Sequence, residues 1–167
     1  MFDNILIGVD GRPGGRDAIA LAQRLAAPGA RFTLAHVVAG GPVAWWRHNL
    51  AAERVFDREA SMLDAERRTA AMQADIVCVG GVAPGRGLHA LARERAADLI
   101  VIGCSRRALL GRDARASLDA APCPVAIAPH GYGDTHPPVA DIGVGYDTCP
   151  DTYAVSTDRD DQLARMS

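Results

Sequence analysis

The stretch from Asp98 to Pro129, DLIVIGCSRRALLGRDARASLDAAPCPVAIAP, decides the fold. Leu99, Ile100, Val101 and Ile102 form an unbroken apolar run, the pattern of a parallel strand covered on both faces. Gly103 ends that strand, where the chain must turn sharply or let a ligand approach its backbone. Gly111 and Arg112 open a helical pattern, with Leu110, Ala114, Leu118 and Ala121 spaced for one buried face. Pro122 stops the helix, and Pro124 launches a last strand, Val125 to Ala128. A glycine loop between a buried strand and a helix N-terminus is a place to hold an anion. This segment is therefore the candidate functional site.

The chain before it follows the same alternation. ILIGVD, Ile5 to Asp10, is a short buried strand that runs into the turn GRPGG. A helix over Asp17 to Ala27 puts Ala18, Ala22 and Leu25 on one face, and Pro28 and Gly29 end it. Arg31 to Val38 is a second strand by its β-branched and apolar content, and Ala39 to Asn49 is a loop. Leu50 to Met72 is helical, Ala74 to Gly80 a third strand, and Gly85 to Ala96 a further helix. Strict strand–helix alternation implies right-handed crossovers. The predicted fold class is α/β, a parallel sheet between two helical layers.

A length of 167 residues allows one domain with a remainder. Hydrophobic content of 49% with 23% charged residues is ordinary for a globular protein. A net charge of −2 gives no bulk reason to expect nucleic acid or a membrane surface as partner. The opening MFDNILIGVDG lacks the basic flank of a secretory signal, and no apolar run approaches the ~18 residues of a membrane span. A cytoplasmic location is expected. All 18 basic residues are Arg, which excludes a Walker A lysine, a Schiff-base lysine and a Ser–Lys dyad. Cys78, Cys104, Cys123 and Cys149 form no CxxC pair, and His36, His48, His89, His130 and His136 show no ligand spacing, so no metal site is expected.

The tail differs in kind. Residues 130–141 read as a Gly/Pro-rich linker, and Ile142 to Pro150, IGVGYDTCP, repeats Ile5 to Pro13, ILIGVDGRP, with Ile, Gly, Asp and Pro at identical spacing. Residues 142–167 are thus expected to be the remnant of a second domain that stops after its first strand.

Taken together, IGVDG at Ile7 to Gly11, DLIVIG at Asp98 to Gly103, LLG at Leu109 to Gly111 and APCPVAI at Ala121 to Ile127 resemble a universal stress protein domain over residues 1–129. IGVGYD at Ile142 to Asp147 resembles the opening of a second such domain, as in tandem members of the family. The resemblance implies a five-stranded sheet in the order 3-2-1-4-5 and a homodimer paired through the fifth strand, here carrying Val125 and Ile127. It implies ATP at the ends of the first and fourth strands, which diverge at the topological switch point. Candidate nucleotide or anion contacts are Asp10, Val38, Gly103, Arg106, Gly111 and Arg112.

The chain departs from the family's nucleotide loop, which runs Gly, two residues, Gly, nine residues, Gly and Ser/Thr. Arg106 stands where the second Gly belongs, seven residues rather than twelve separate Gly103 from Gly111, and Arg112 replaces the Ser/Thr. Glycines let backbone N–H groups approach phosphate, and the small hydroxyl adds a donor. Arginine adds charge but also bulk.

Each candidate residue also has a purely structural reading. Asp10 either accepts hydrogen bonds from a nucleoside or caps the turn that follows it. Gly103 and Gly111 serve backbone shape with or without a ligand. Arg106, Arg107 and Arg112 are either solvated surface or an anion clamp, and Trp45 and Trp46 are a stacking platform or a packed lid. The leading functional expectation is a non-enzymatic stress-response domain with a degenerate nucleotide pocket, acting through dimerisation or partner binding. The alternative is an ATP-binding regulator using the shortened Gly103 to Gly111 loop. An adenylating α/β hydrolase is disfavoured, because the chain lacks an SGGxDS-type phosphate loop.

Overall fold

The computed structural model describes residues 1–39, 50–104, 120–135, 143–147 and 152–156. The elements of the first compact unit, residues 1–136, run β1 (Phe2–Gly8), α1 (Pro13–Leu25), β2 (Ala26–Ala39), α2 (Leu50–Thr69), β3 (Asp75–Gly81), α3 (Pro84–Glu94), β4 (Leu99–Gly103), β5 (Val125–Ala128) and the single turn α4 (Tyr132–Thr135). The five strands form one parallel sheet in the order β3-β2-β1-β4-β5. No helix among the described residues is long and apolar enough to cross a membrane.

Strand alternation divides the apolar runs between two layers. Ile5, Ile7, Leu34, Leu99 and Val101 point to one face, where Ala18, Ala22 and Leu63 of α1 and α2 meet them. Leu6, Ala35, Ile100 and Ile102 point to the other, against Leu88, Leu91 and Ala92 of α3. Each fully buried Ile, Leu or Val contributes about 1.5–3 kcal/mol, which is why LIVI at 99–102 contains no polar residue. At the amino ends of the strands, the Asp98 carboxylate accepts from the backbone N–H groups of Asp3 and Asn4 at 2.7 and 3.0 Å. The Asn4 side chain in turn donates to the carbonyls of Arg95 and Ala96 at 2.7 and 2.9 Å. The sheet is pinned at that end and left open at its carboxyl end.

Several boundaries differ from the sequence reading. Helix α1 starts at Pro13 rather than Asp17, because proline fits the first helical position, where its missing N–H costs nothing. It stops at Leu25, since Pro28 disfavours helical geometry at Ala27 before it, and Ala26 is already extended at φ −70° and ψ 140°. Pro28 and Gly29 therefore lie within β2, where the pairing jumps from Phe2↔Ala26 to Asn4↔Arg31. The expected linker begins with structure of its own. Tyr132 is buried, and the Asp17 carboxylate accepts from the backbone N–H groups of Gly131 and Gly133 at 3.0 and 2.7 Å.

In the second compact unit, residues 137–167, β6 (Gly143–Asp147) and β7 (Thr152–Ser156) pair antiparallel. A single strand was expected there. TYAVS supplies the second through its β-forming Thr152, Tyr153 and Val155, satisfying backbone groups that a lone strand leaves open.

Candidate functional site

At the carboxyl ends of β1, β2 and β4 the chain leaves a cleft of about 230 Å³. This is the switch point, where the connections from β1 and β4 run to opposite sides. Val9 and Asp10 line it after β1, Arg12, Gly14 and Gly15 at the start of α1, Ala35, His36 and Val37 on β2, Pro84 and Leu88 on α3, and Ile102, Gly103 and Cys104 at the end of β4. One part of the lining is thus apolar, and the other carries one carboxylate, one guanidinium and one imidazole.

Two helices begin at this cleft, α1 at Pro13 and α3 at Pro84, and neither has a side-chain cap or an acidic residue in its first turn. The partial positive charge of both N-termini is therefore not offset by their own side chains. The Asp10 carboxylate accepts from the Arg12 backbone N–H at 3.0 Å, and its other oxygen lies 3.7 Å from the Arg12 guanidinium. Asp10 thus caps its turn, and it also lines the cleft. The two readings of this residue are compatible.

His36 sits deeper. Its Nδ1 is 2.7 Å from the Val9 carbonyl, so Nδ1 carries the proton and donates. Its Nε2 lies 3.8 Å from the Glu59 carboxylate of α2, beyond hydrogen-bond distance, and Glu59 accepts from Arg58 at 2.7 Å. His36 and Arg12 were not among the sequence candidates, because no spacing motif marks them. The one available signal for His36 was a polar side chain inside the apolar run of β2.

Gly103 is fixed by packing. A Cβ there would fall on the backbone carbonyl of Gly14, so the end of β4 lies against the first turn of α1. Val38 is one residue beyond the cleft on β2, paired with Gly80, and its neighbours Val37 and His36 line the cleft instead. Arg106, Gly111 and Arg112, with Trp45 and Trp46, lie outside the described residues. Among the described residues no group of His, Cys, Asp and Glu side chains converges as a metal site.

A hypothetical protein solved as a structural-genomics test case matches with a TM-score of 0.65 at 15% identity, covering 77% of this chain and 96% of that one. The universal stress protein from Archaeoglobus fulgidus in complex with dAMP matches at 0.56 and 20% identity, covering 76% and 97%. A universal stress protein family member from Arabidopsis thaliana with AMP bound matches at 0.55 and 13% identity, covering 80% and 95%. At these identities the likeness is one of fold. No curated protein matches the chain. The family model of the universal stress proteins matches residues 1–129, the whole of the parallel sheet and the cleft at its end, and the chain belongs to that family.

Proposed function

We propose that this protein is a non-enzymatic stress-response domain whose cleft takes an adenine nucleotide with a short phosphate tail. The observation that carries the reading is the cleft itself. It lies at the switch point, it is lined in part by apolar side chains, and it brings Asp10 and Arg12 together with the uncapped N-termini of α1 and α3, one from each face of the sheet. The described cleft, about 230 Å³, is smaller than the ~300–1,000 Å³ of most small-molecule sites, and the limit to a short phosphate tail rests on the loop that follows it. The sequence after Cys104 supports that limit, since the loop that would hold further phosphates is shortened and carries Arg106 and Arg112 at the glycine and hydroxyl positions. Relatives of the same fold hold AMP and dAMP.

The domain acts in the cytoplasm as a homodimer through the β5 edge. Among the described residues β5 pairs with β4 alone, and Val125 and Ile127 are only half-buried, so an open row of backbone groups awaits a partner strand. A charged Ile127→Lys variant should shift the protein to the monomer in sedimentation.

Calorimetric titration tests the nucleotide reading. AMP and Mg-ATP should bind within threefold of each other, with no ADP or AMP released from ATP. ATP binding more than tenfold tighter than AMP favours the ATP-dependent regulator. Absence of AMP binding at millimolar concentration, or turnover of ATP, overturns the proposal.

A further inference from the structure

The register of β1 with β2 stops at Gly8 and Ala35. Val9, buried and one residue further on, still donates its N–H to the Ala35 carbonyl at 2.9 Å. Its own carbonyl is taken up by a side chain, His36 Nδ1 at 2.7 Å. The peptide unit held in this way joins Val9 to Asp10, so the imidazole grips the backbone immediately before the cleft carboxylate. A buried carbonyl left without this donor costs the desolvation of the group, and the turn would relax to find water. The other ring nitrogen lies 3.8 Å from Glu59 of α2, beyond hydrogen-bond reach, so the bond to the Val9 carbonyl is the one through which the ring acts.

We propose that His36 is the positioning residue of the cleft: it fixes the Val9–Asp10 peptide, and with it the Asp10 carboxylate, in the place where a ligand meets it. The ligand-binding half of this inference rests on the nucleotide reading given above, and the backbone half does not.

Two shape-matched variants of the full chain separate donor from bulk. His36→Asn keeps an N–H where Nδ1 stands, and His36→Leu has the same outline without the donor. Amide hydrogen exchange is measured over Asp10 to Gly15 without nucleotide, and AMP affinity by calorimetry. His36→Leu should exchange at least tenfold faster in this turn and bind AMP about tenfold more weakly, while His36→Asn should stay within threefold of the wild type in both. If wild type does not bind AMP but the Leu variant loosens the turn, the nucleotide reading fails and the positioning role stands. If the Leu variant binds AMP normally with unchanged turn exchange, the positioning role is overturned and the nucleotide reading survives. If the Leu variant does not fold, the Asn variant decides. A protected turn with AMP binding within threefold supports the role; a protected turn with tenfold weaker binding overturns it, because the ring would then be touching the nucleotide itself.

Discussion

Gly103 and Gly14 meet backbone to backbone: a side-chain carbon on Gly103 would coincide with the carbonyl of Gly14, and one on Gly14 would sit 3.0 Å from the carbonyl of Cys104. The contact sets how closely α1 approaches the end of β4, and so the width of the cleft between them. Neither partner can move aside as a flexible side chain would. Gly103→Ala should therefore cost about 3 kcal/mol, the upper end of overpacking effects. For a chain of this length that is about 6–12 °C in melting temperature. A thermal melt within one degree of the wild type would show that α1 is free to shift.

The layout of the first domain was legible because LIVI at 99–102 and ILI at 5–7 are apolar on both faces, which only a covered parallel strand requires. Element ends were less so. The sequence pattern carries helices to Met72 and Ala96, yet α2 stops at Thr69 and α3 at Glu94. The usual stop signal is a glycine in left-handed conformation, and here alanines fill that role, Ala71 at φ 48° and Ala96 at φ 50°. In the site, Asp10 and Gly103 could be found because a strand end followed by a turn is visible in one dimension. His36 could not, because its neighbours Val9 and Glu59 lie just after β1 and on α2, which only folding brings together.

Those two alanines lead to a prediction of added stability. After α2, Met72 donates to the Arg67 carbonyl at 3.3 Å and Ala71 to that of Arg68 at 3.0 Å; after α3, Ala97 donates to Ala92 at 2.9 Å and Ala96 to Arg93 at 3.2 Å. Both ends are Schellman motifs. Left-handed backbone costs an L-residue about 1–2 kcal/mol that glycine avoids, against some loss from the freer unfolded chain. Ala71→Gly and Ala96→Gly should each stabilise by about 0.5–1 kcal/mol. A denaturant midpoint that falls in either variant would contradict this.

Arg16 and Glu66 tie α1 to α2 unequally. The guanidinium makes three hydrogen bonds to the carboxylate, at 3.0 to 3.2 Å, but the Arg16 side chain is 61% exposed and that of Glu66 only 9%. Removing the exposed partner strands the buried one. Arg16→Ala should thus cost about 1–3 kcal/mol. Glu66→Gln, which returns a solvated guanidinium to water and keeps the packing, should cost less than about 1 kcal/mol. Equal losses in urea titrations of the two variants would refute the asymmetry.

Cysteine chemistry offers a probe of the cleft. Burial, reinforced by the charge of Glu59, pushes the Cys78 thiol up to about 11. The folded state therefore holds that proton more tightly than the unfolded chain, whose thiol ionises near ~8.5. The stability this contributes is complete below that value and fades as pH rises towards 11. At pH 8 roughly one Cys78 in a thousand is thiolate, so alkylation there should be slow and should accelerate about tenfold per pH unit up to about 10. Cys104 lines the cleft, whereas Cys78 does not belong to its lining. Saturating AMP should accordingly slow alkylation of Cys104 several-fold and leave the Cys78 rate unchanged, as peptide mass spectrometry would resolve. Equal Cys104 rates with and without AMP, in a sample that calorimetry shows to be bound, would put the nucleotide somewhere other than the cleft at the ends of β1 and β4.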